Sequence, residues 1–177
     1  SYNFRNKYMV DVVANRYGTS VLLKGDKFRF YPAVSAAWVL SNEDFLKDWS
    51  FVDLLKLRLS YGRSAVDNLA YGLGKHYWSS LREYYFGDSN TEVSGYLERK
   101  IPMRSLELET ADKYNIGLDV QVFKKLSFTA DMYYDKRSNI LVSNNKVSGM
   151  IGIDVPQQNV GKVESKGLEL SLGWNDK

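Results

Sequence analysis

Apolar and polar residues alternate without a break in Leu55-Lys56-Leu57-Arg58-Leu59-Ser60-Tyr61. This period of two places every apolar side chain on one face of a β-strand and the polar side chains on the other. The pattern returns at 114–122, 126–134 and 168–174, and each apolar face begins or ends with an aromatic residue. Alternation with aromatic ends predicts a β-sheet that has one face in lipid and one in water.

The composition argues against several classes of protein. The 177 residues carry 24 Lys and Arg against 21 Asp and Glu, an excess too small and too dispersed to indicate a nucleic-acid partner. There is no apolar run long enough for a transmembrane helix, and no cysteine for a disulfide or a thiolate site. His76 is the single histidine, and its neighbours do not suggest a metal site. Without a catalytic motif, the sequence predicts a non-enzymatic protein that needs no cofactor or metal.

One turn follows from the parity of the residues. Apolar residues have even numbers in both 114–122 and 126–134, and directly opposed residues must face the same way. Even-to-even pairing requires an odd number of loop residues, so Phe123-Lys124-Lys125 is predicted to be a three-residue hairpin loop. In this register, Asp119 lies opposite Thr129 and Gly117 lies opposite Asp131, all on the polar face.

The alternation predicts an all-β chain with about six antiparallel strands. They are expected at 7–17, 28–40, 52–62, 110–123, 126–137 and 161–174. Segment 41–47 resembles a helix start but is long enough for only a turn or two. A connection at about 63–107 is predicted to be irregular, and a second long connection spans about 138–159, with room for two further strands in them.

The connections differ in length in the way typical of outer-membrane barrels, which have short periplasmic turns and long outer loops. That orientation places Trp38 and Trp174 at periplasmic strand ends, and Tyr61, Tyr114 and Tyr134 toward outer ends. All five share the apolar parity of their strands, which predicts two aromatic girdles. A soluble barrel or sandwich, in which the same face packs a core, is the alternative.

The strand count and the ends of the chain predict part of a larger structure. Single-chain membrane barrels have at least about eight strands, and this sequence starts and stops within the pattern. We therefore expect residues 1–177 to be a piece of a transmembrane β-barrel, with long outer loops. A small complete barrel used for adhesion is a further alternative.

Four charged residues of the polar face are candidates for lining a hydrated lumen. Lys56 and Arg58 lie on one predicted strand, and Asp119 and Asp131 lie on the two strands joined by the three-residue loop. They would contact a substrate or, alternatively, pair with each other across the strands of the wall.

The segment 71–86 contains six aromatic residues, an unusual density for a loop. Tyr77, Trp78, Tyr84 and Tyr85 are candidates for contacting a ligand or a lid protein, because flat rings stack on sugars and pack on protein surfaces. The alternative is that these rings fold the long connection on itself.

Five runs of residues carry a family resemblance. They are Arg16-Tyr17-Gly18, Phe30-Tyr31-Pro32-Ala33-Val34-Ser35-Ala36-Ala37-Trp38, Leu55-Lys56-Leu57-Arg58-Leu59-Ser60-Tyr61-Gly62, Tyr114-Asn115-Ile116-Gly117-Leu118-Asp119 and Asn159-Val160-Gly161-Lys162-Val163-Glu164-Ser165-Lys166-Gly167-Leu168-Glu169-Leu170. Together, and in this order, they resemble the C-terminal barrel region of SusC/RagA-type TonB-dependent outer-membrane transporters of Bacteroidetes. The resemblance covers most of 8–62 and 107–174. Ser165 departs from the Asn often found there, and Gly18-Thr19-Ser20-Val21 from the usual Asp-Gly-Ser-Ser.

The resemblance implies a barrel of about 22 strands in the outer membrane of a Gram-negative bacterium. It further implies an N-terminal plug, absent from residues 1–177, and import of an oligosaccharide or peptide with energy from TonB. A SusD-like surface lipoprotein would act as a lid, and outer-membrane lipid would surround the barrel. The alternative function is a soluble all-β carbohydrate-binding module that uses the aromatic residues of 71–86.

Overall fold

The structure, a computed structural model, describes residues 1–22, 27–46, 49–67, 69–70, 72–88, 91–143 and 152–176. Its strands are β1 (Tyr2–Phe4), β2 (Tyr8–Gly18), β3 (Phe28–Val39), β4 (Val52–Val66), β5 (Tyr77–Phe86), β6 (Thr91–Lys100), β7 (Glu109–Val122), β8 (Leu126–Val142) and β9 (Gln158–Trp174). Two short 3-10 turns, Leu40–Asn42 and Asp44–Leu46, lie between β3 and β4. In this described part of the chain, no helix is both long enough and apolar enough to cross a membrane.

Seven strands form one sheet in the order β1-β2-β3-β4-β7-β8-β9, and every neighbouring pair is antiparallel. β5 and β6 pair with each other as a separate hairpin that lies between β4 and β7 in the sequence. The connections after β2, β4 and β8 leave from one end of the sheet, which we call the loop end. The turns before β2, β4 and β8 lie at the opposite end, the turn end.

The predicted register around the three-residue loop is confirmed. β7 ends at Val122 and β8 begins at Leu126, and these two residues are opposed. The predicted pairs are also formed, Asp119 with Thr129 and Gly117 with Asp131. Phe123 and Lys124 both have a φ of 55°, a left-handed conformation that closes the tight turn. The parity of the sequence was sufficient here because a one-residue slip would turn every apolar side chain to the polar face.

The apolar face of the sheet is exposed instead of packed. On β9, Leu168, Leu170 and Leu172 have 60%, 63% and 72% of their surface exposed, and Trp174 has 68%. A soluble domain rarely leaves so long an apolar surface in water. The face therefore suits a bilayer, and the packed core required by the soluble alternative is not formed against it.

A row of tyrosines ends the apolar face toward the loop end. Tyr61, Tyr114 and Tyr134 are opposed on three adjacent strands, with ring centroids 5.0 and 6.1 Å apart. Two residues further along each strand toward the loop end, the same face carries charges of alternating sign on four adjacent strands: Arg63, Asp112, Lys136 and Glu164. We call these sets the tyrosine row and the charge row. Such a change from apolar residues through rings to charges is typical of a membrane–water boundary.

Aromatic residues also end the apolar face at the turn end. Tyr8 stacks on Trp38 with ring centroids 6.1 Å apart. Trp38 is opposed to Leu57 on β4. Trp174 on β9 is opposed to Leu126, which pairs with Val122, which in turn pairs with Val52, so Trp174 is level with Val52 on β4. The aromatic boundary thus shifts by about one residue per strand across the sheet, which is the slant expected of tilted strands in a barrel wall.

The connection at 63–107 is more regular than the sequence indicated. β4 continues to Val66, and β5 and β6 fill Tyr77–Phe86 and Thr91–Lys100, so the prediction of an irregular stretch is wrong there. Register shifts between Tyr77 and Trp78, and again between Leu81 and Tyr84, interrupt the alternation that would have revealed these strands. β5 and β6 are thus the two further strands for which the long connections had room.

Three other features of the secondary structure differ from the prediction. β8 runs on to Val142 and β9 begins at Gln158, which shortens the second long connection, of which 144–151 lie outside the described residues. Within the predicted helix start at 41–47, the described residues form the 3-10 turns Leu40–Asn42 and Asp44–Leu46 in place of an α-helical turn, and Lys47 lies outside the described residues. β1 was not predicted, since three residues are too few to show a period.

Five apolar side chains form a buried cluster at the loop end. They are Leu22, Leu73, Met103, Leu106 and Leu108, and each is only 3–5% exposed. They come from the connections that follow β2, follow β4 and precede β7. The backbone N–H of Met103 also donates to the carbonyl of Leu73 at 2.9 Å. This loop cluster ties separate connections into one packed unit, which holds the loop end in a defined shape.

Candidate functional site

Three of the four predicted polar-face charges meet in one cluster. The Arg58 guanidinium donates to both carboxylate oxygens of Asp119, at 2.8 and 3.0 Å, and to Asp131 at 3.0 Å. Lys56 is opposed to Asp119 in register, but no ion pair joins its ammonium to a described carboxylate. The cluster carries one positive and two negative charges, so it is acidic overall. Bidentate geometry makes it a rigid part of the wall.

Gly117 makes the cluster possible. It lies between Arg58 on β4 and Asp131 on β8 in the register. A Cβ at this position would lie 2.5 Å from Asp131 Oδ1 and 2.7 Å from Arg58 Cζ, so any larger residue would displace the ion pair. The missing side chain therefore lets the guanidinium cross β7 and reach a carboxylate two strands away. The alternation of the sequence placed these residues on one face but did not reveal this path.

The hairpin β5–β6 divides the predicted aromatic residues between two faces. Trp78 is opposed to Glu98, and Tyr85 to Glu92, so both rings share the face that also carries Tyr96. We call this the Trp78 face. Its three rings, Trp78, Tyr85 and Tyr96, are 56%, 63% and 75% exposed.

The remaining predicted aromatic residues do not join the Trp78 face. Tyr84 turns to the opposite face, where its ring covers Gly95: a Cβ there would lie 2.2 Å from the ring. Tyr77 lies opposite Lys100 at the register shift beside Trp78. Tyr71 lies outside the described residues. Tyr96 was missed because it lies beyond the aromatic segment 71–86. The alternation along 92–98 places it on the same face of β6 as Glu92 and Glu98.

A hydrogen-bonded pair supports the Trp78 ring. His76 Nδ1 lies 2.6 Å from Glu98 Oε1, and the His76 ring stacks on Trp78 with centroids 6.5 Å apart. The histidine, which directly precedes β5, therefore positions a ring and a carboxylate side by side. Among the described residues, no three potential metal ligands cluster together. The arrangement can stack on a flat ligand surface and accept hydrogen bonds from it.

Asn159 joins the loop end to the sheet. Its side-chain amide donates to the carbonyls of Glu107 and Asn139 at 2.9 and 2.8 Å, and its Oδ1 accepts the Glu107 N–H at 3.1 Å. Asn139 has a φ of 60° at a register shift in β8, and it donates to the Glu107 carboxylate at 2.8 Å. This knot fixes the segment before β7, which also carries part of the loop cluster. The residue pattern did not predict these contacts.

Glu43 holds two connections together at the turn end. Its carboxylate accepts hydrogen bonds from the Tyr8 hydroxyl at 2.7 Å, the Lys7 ammonium at 3.0 Å and the Trp38 indole at 3.1 Å. These donors keep the pKa of the Glu43 carboxyl below its usual value of 4.5, with the Tyr8 hydroxyl contributing most. One carboxylate thus fixes the aromatic pair at the edge of the apolar face.

Glu43→Gln is expected to lower the melting temperature of the full-length protein at pH 7. The Glu43 carboxyl has a lower pKa in the folded protein than its usual 4.5. Its contribution to the stability of the fold is therefore fully present above pH 4.5 and is lost as the pH falls through the pKa of the folded state. The difference from wild type should therefore shrink at a pH of about 3. Thermal unfolding in detergent at both pH values measures this. Asp44→Asn is the control, since that carboxylate is 78% exposed and 3.9 Å from Lys7; an equal difference at both pH values would contradict the assignment.

A comparison of the sequence with protein families decides the class. Residues 3–176 match the model of the family described as TonB dependent receptor-like, beta-barrel. The chain belongs to this family. Its exposed apolar face, bounded by aromatic residues at both ends, is accordingly the membrane-facing surface of a partial β-barrel in the outer membrane of a Gram-negative bacterium. The soluble module considered from the sequence is therefore wrong.

Individual relatives agree with this family of receptors. The chain is 30% identical over 177 residues to TonB-dependent receptor P26 of Formosa agariphila, and 26% identical over 184 residues to TonB-dependent receptor SusC of Bacteroides thetaiotaomicron. Each match covers 97% of this chain and 17% of the relative. The chain therefore spans about a sixth of the receptors it matches. The resemblance to SusC-type receptors of Bacteroidetes is confirmed.

Solved structures show the same fold. The RagAB peptide importer in its open-open state superimposes with a TM-score of 0.81 at 20% identity, over 96% of this chain and 18% of that one. The closed-closed state gives a TM-score of 0.80 at 21% identity. Both likenesses concern the fold, which is an unclosed section of wall in the present chain.

Proposed function

We propose that the full-length receptor imports an oligosaccharide or a peptide across the outer membrane, with energy supplied through TonB. Residues 1–177 would supply wall and outer loops, and the plug and the TonB-contacting segment would lie elsewhere in the protein. The observation that carries the proposal is the two-faced sheet of a TonB-dependent receptor: an exposed apolar surface on one side and the Arg58–Asp119–Asp131 cluster on the other. The role is transport and not catalysis.

The polar face would line the lumen. Lys56, Arg58, Asp119 and Asp131 all lie on the side opposite the membrane surface. Because Arg58 already holds both carboxylates, we expect it to shape the wall and its acidic field and not to release its partners for each substrate. Lys56, which is not held in this way, would be available to a passing ligand.

The loop end would face the cell exterior. The loop of Phe123–Lys125 at the turn end has three residues, whereas the hairpin β5–β6 and the connection to β9 leave from the loop end. Short periplasmic and long outer connections are the rule for such barrels. The Trp78 face would then be positioned to contact the incoming ligand or a SusD-like lipoprotein lid.

Trp78→Ala is expected to lower the affinity of the full-length receptor for its ligand, or for its lid, by about tenfold, as for an exposed aromatic anchor. Uptake in the cognate cells would be measured with labelled oligosaccharides from partial polysaccharide hydrolysis and with labelled peptides from a casein digest. Co-purification would measure the lipoprotein.

Leu97→Ala is the matched control, because Leu97 is opposed to Ser79 on the other face of the hairpin. Unchanged uptake and co-purification in Trp78→Ala would contradict a contact role for this face. Failure of the wild-type receptor to take up either mixture, in cells with active TonB, would contradict the proposed import.

A further inference from the structure

The sheet splits at its loop end, between β3 and β4. The hydrogen-bonded ladder of these strands stops at the pair Ala33–Gly62, although β3 begins at Phe28 and β4 continues to Val66. Beyond that pair, β3 stays with β2, and β4 stays with β7. We call the gap between the two halves the fork. Both strands that border it have a further neighbour on their other side, so the fork lies within the sheet and not at its edge.

A small polar cavity lies in the fork. Its volume is about 80 Å³. β3 contributes Arg29 and Tyr31 to its lining, the segment before β7 contributes Glu107, and the register shift of β8 contributes Asn139. A water molecule needs about 10–15 Å³ of such space and two to four polar partners. The cavity is therefore large enough and polar enough to hold water.

The Tyr31 hydroxyl is a buried polar group without a hydrogen-bond partner among the described residues. The Tyr31 side chain is only 7% exposed. Burial raises the pKa of its hydroxyl, and the positive charges of Arg29 and Arg63 oppose this shift. Both arginines line the cavity, so the hydroxyl end of the ring lies toward it. Leaving a buried hydroxyl unpaired is costly, and almost all such groups in proteins are bonded to protein or to ordered water.

Glu107 supplies an acceptor in the same cavity. Its Oε2 accepts from the Asn139 amide at 2.8 Å, and a carboxylate can accept further hydrogen bonds at its other oxygen. Its backbone is held by Asn159 in the knot described above. No direct hydrogen bond joins Tyr31 to Glu107, although both line the cavity. A water between them can accept from the hydroxyl and donate to the carboxylate.

We propose that the fork holds ordered water that accepts a hydrogen bond from Tyr31 and donates one to Glu107. Water suits the cavity better than an ion. The Glu107 carboxylate opposes an anion, Arg63 is already bound to Asp112 at 2.6 Å, and the arginines of the lining oppose a cation. The water bridge fastens the segment before β7 to β3, in addition to the loop cluster and the Asn159 knot. It is independent of the cargo and of the direction of import.

Tyr31→Phe in the full-length receptor is expected to speed amide hydrogen exchange in 105–110 about fivefold, the factor for one hydrogen bond of ordinary strength. The ring stays in place, so only the hydroxyl is lost. Tyr133→Phe is the matched control, because that hydroxyl lies over Gly167 and does not line the cavity. Unchanged or slower exchange in Tyr31→Phe would overturn the bridge, since removing an unpaired buried hydroxyl does not weaken a fold.

A double-mutant cycle with Glu107→Ala tests whether the two residues share the bridge. Glu107→Ala alone should also speed exchange in 105–110, and adding Tyr31→Phe should then change the rate little, because the bridge is already lost. Effects that multiply would show that the residues act separately and would overturn the bridge.

A cryo-EM map of the wild-type receptor views the cavity directly. We expect a density peak about 3 Å from Tyr31 Oη that is absent in Tyr31→Phe. A side chain from another part of the receptor at that place would overturn the proposal. A peak that disappears when sodium and potassium are replaced by choline would identify a cation and would also overturn it.

Discussion

Leu118→Arg is expected to destabilise the folded full-length receptor by about 2–4 kcal/mol in a lipid bilayer, the range for a cation near the middle of a barrel's lipid face. Leu118 lies between Leu57 and Ala130 in the register, four residues from Tyr114 of the tyrosine row and four from Val122, which is level with Trp174. A guanidinium there would have to leave water or deform the bilayer. The free energy of unfolding in vesicles, followed by denaturant titration, measures the effect.

Gln121→Arg is the matched control for this substitution. Gln121 lies on the same strand, but on the polar face, where it is opposed to Ser127. The new charge would enter a hydrated surface, so the change in stability should stay below about 0.5 kcal/mol. A similar loss in both variants would mean that the two faces do not differ in environment, and the membrane-facing assignment would have to be abandoned.

Leu108→Ala is expected to weaken the loop end by about 2–5 kcal/mol, the cost of emptying a fully packed leucine site. Leu108 is 3% exposed and packs in the loop cluster with Leu106 and Met103. Because the sheet does not depend on this cluster, the loss should appear as local opening of the loops. Hydrogen exchange of the full-length protein should show faster exchange in 101–108, with β7 and β8 unchanged.

Val163→Ala serves as the control for the loop cluster. Val163 is 52% exposed on β9 and lies outside the cluster, so its truncation should leave exchange in 101–108 unaffected. Unchanged exchange in Leu108→Ala would show that the loop end is not held by this packing. In that case, hydrogen bonds such as those of the Asn159 knot would hold the segment before β7.

Much of the wall could be derived from residue order because a strand imposes a period of two. The register between β7 and β8 followed from even-numbered apolar residues alone, since any slip would have exchanged the two faces. The same register opposes Tyr114 to Tyr134, whereas the pairing of Tyr61 with Tyr114 was decided by the packing of β4 against β7. Local rules of this kind need no knowledge of distant contacts.

The hairpin and the sites were less accessible to such rules. Register shifts hid β5 and β6, and the division of Trp78 and Tyr84 between two faces depends on a bulge that local alternation does not reveal. Similarly, the path of Arg58 to Asp131 requires the gap at Gly117, which exists only when β4, β7 and β8 are side by side.

The order of residues along this chain therefore determined the all-β class, the two faces, the aromatic boundaries and the tight turn, because each depends on the side-chain period of a single strand or one adjacent pair. Tertiary structure alone decided which charges neutralise one another, as Arg58 does Asp119 and Asp131. It also decided which loops share a buried cluster. Those outcomes depend on distances between strands that are far apart in sequence, and Leu55–Tyr61 acquires its meaning as a piece of barrel wall only beside β3 and β7.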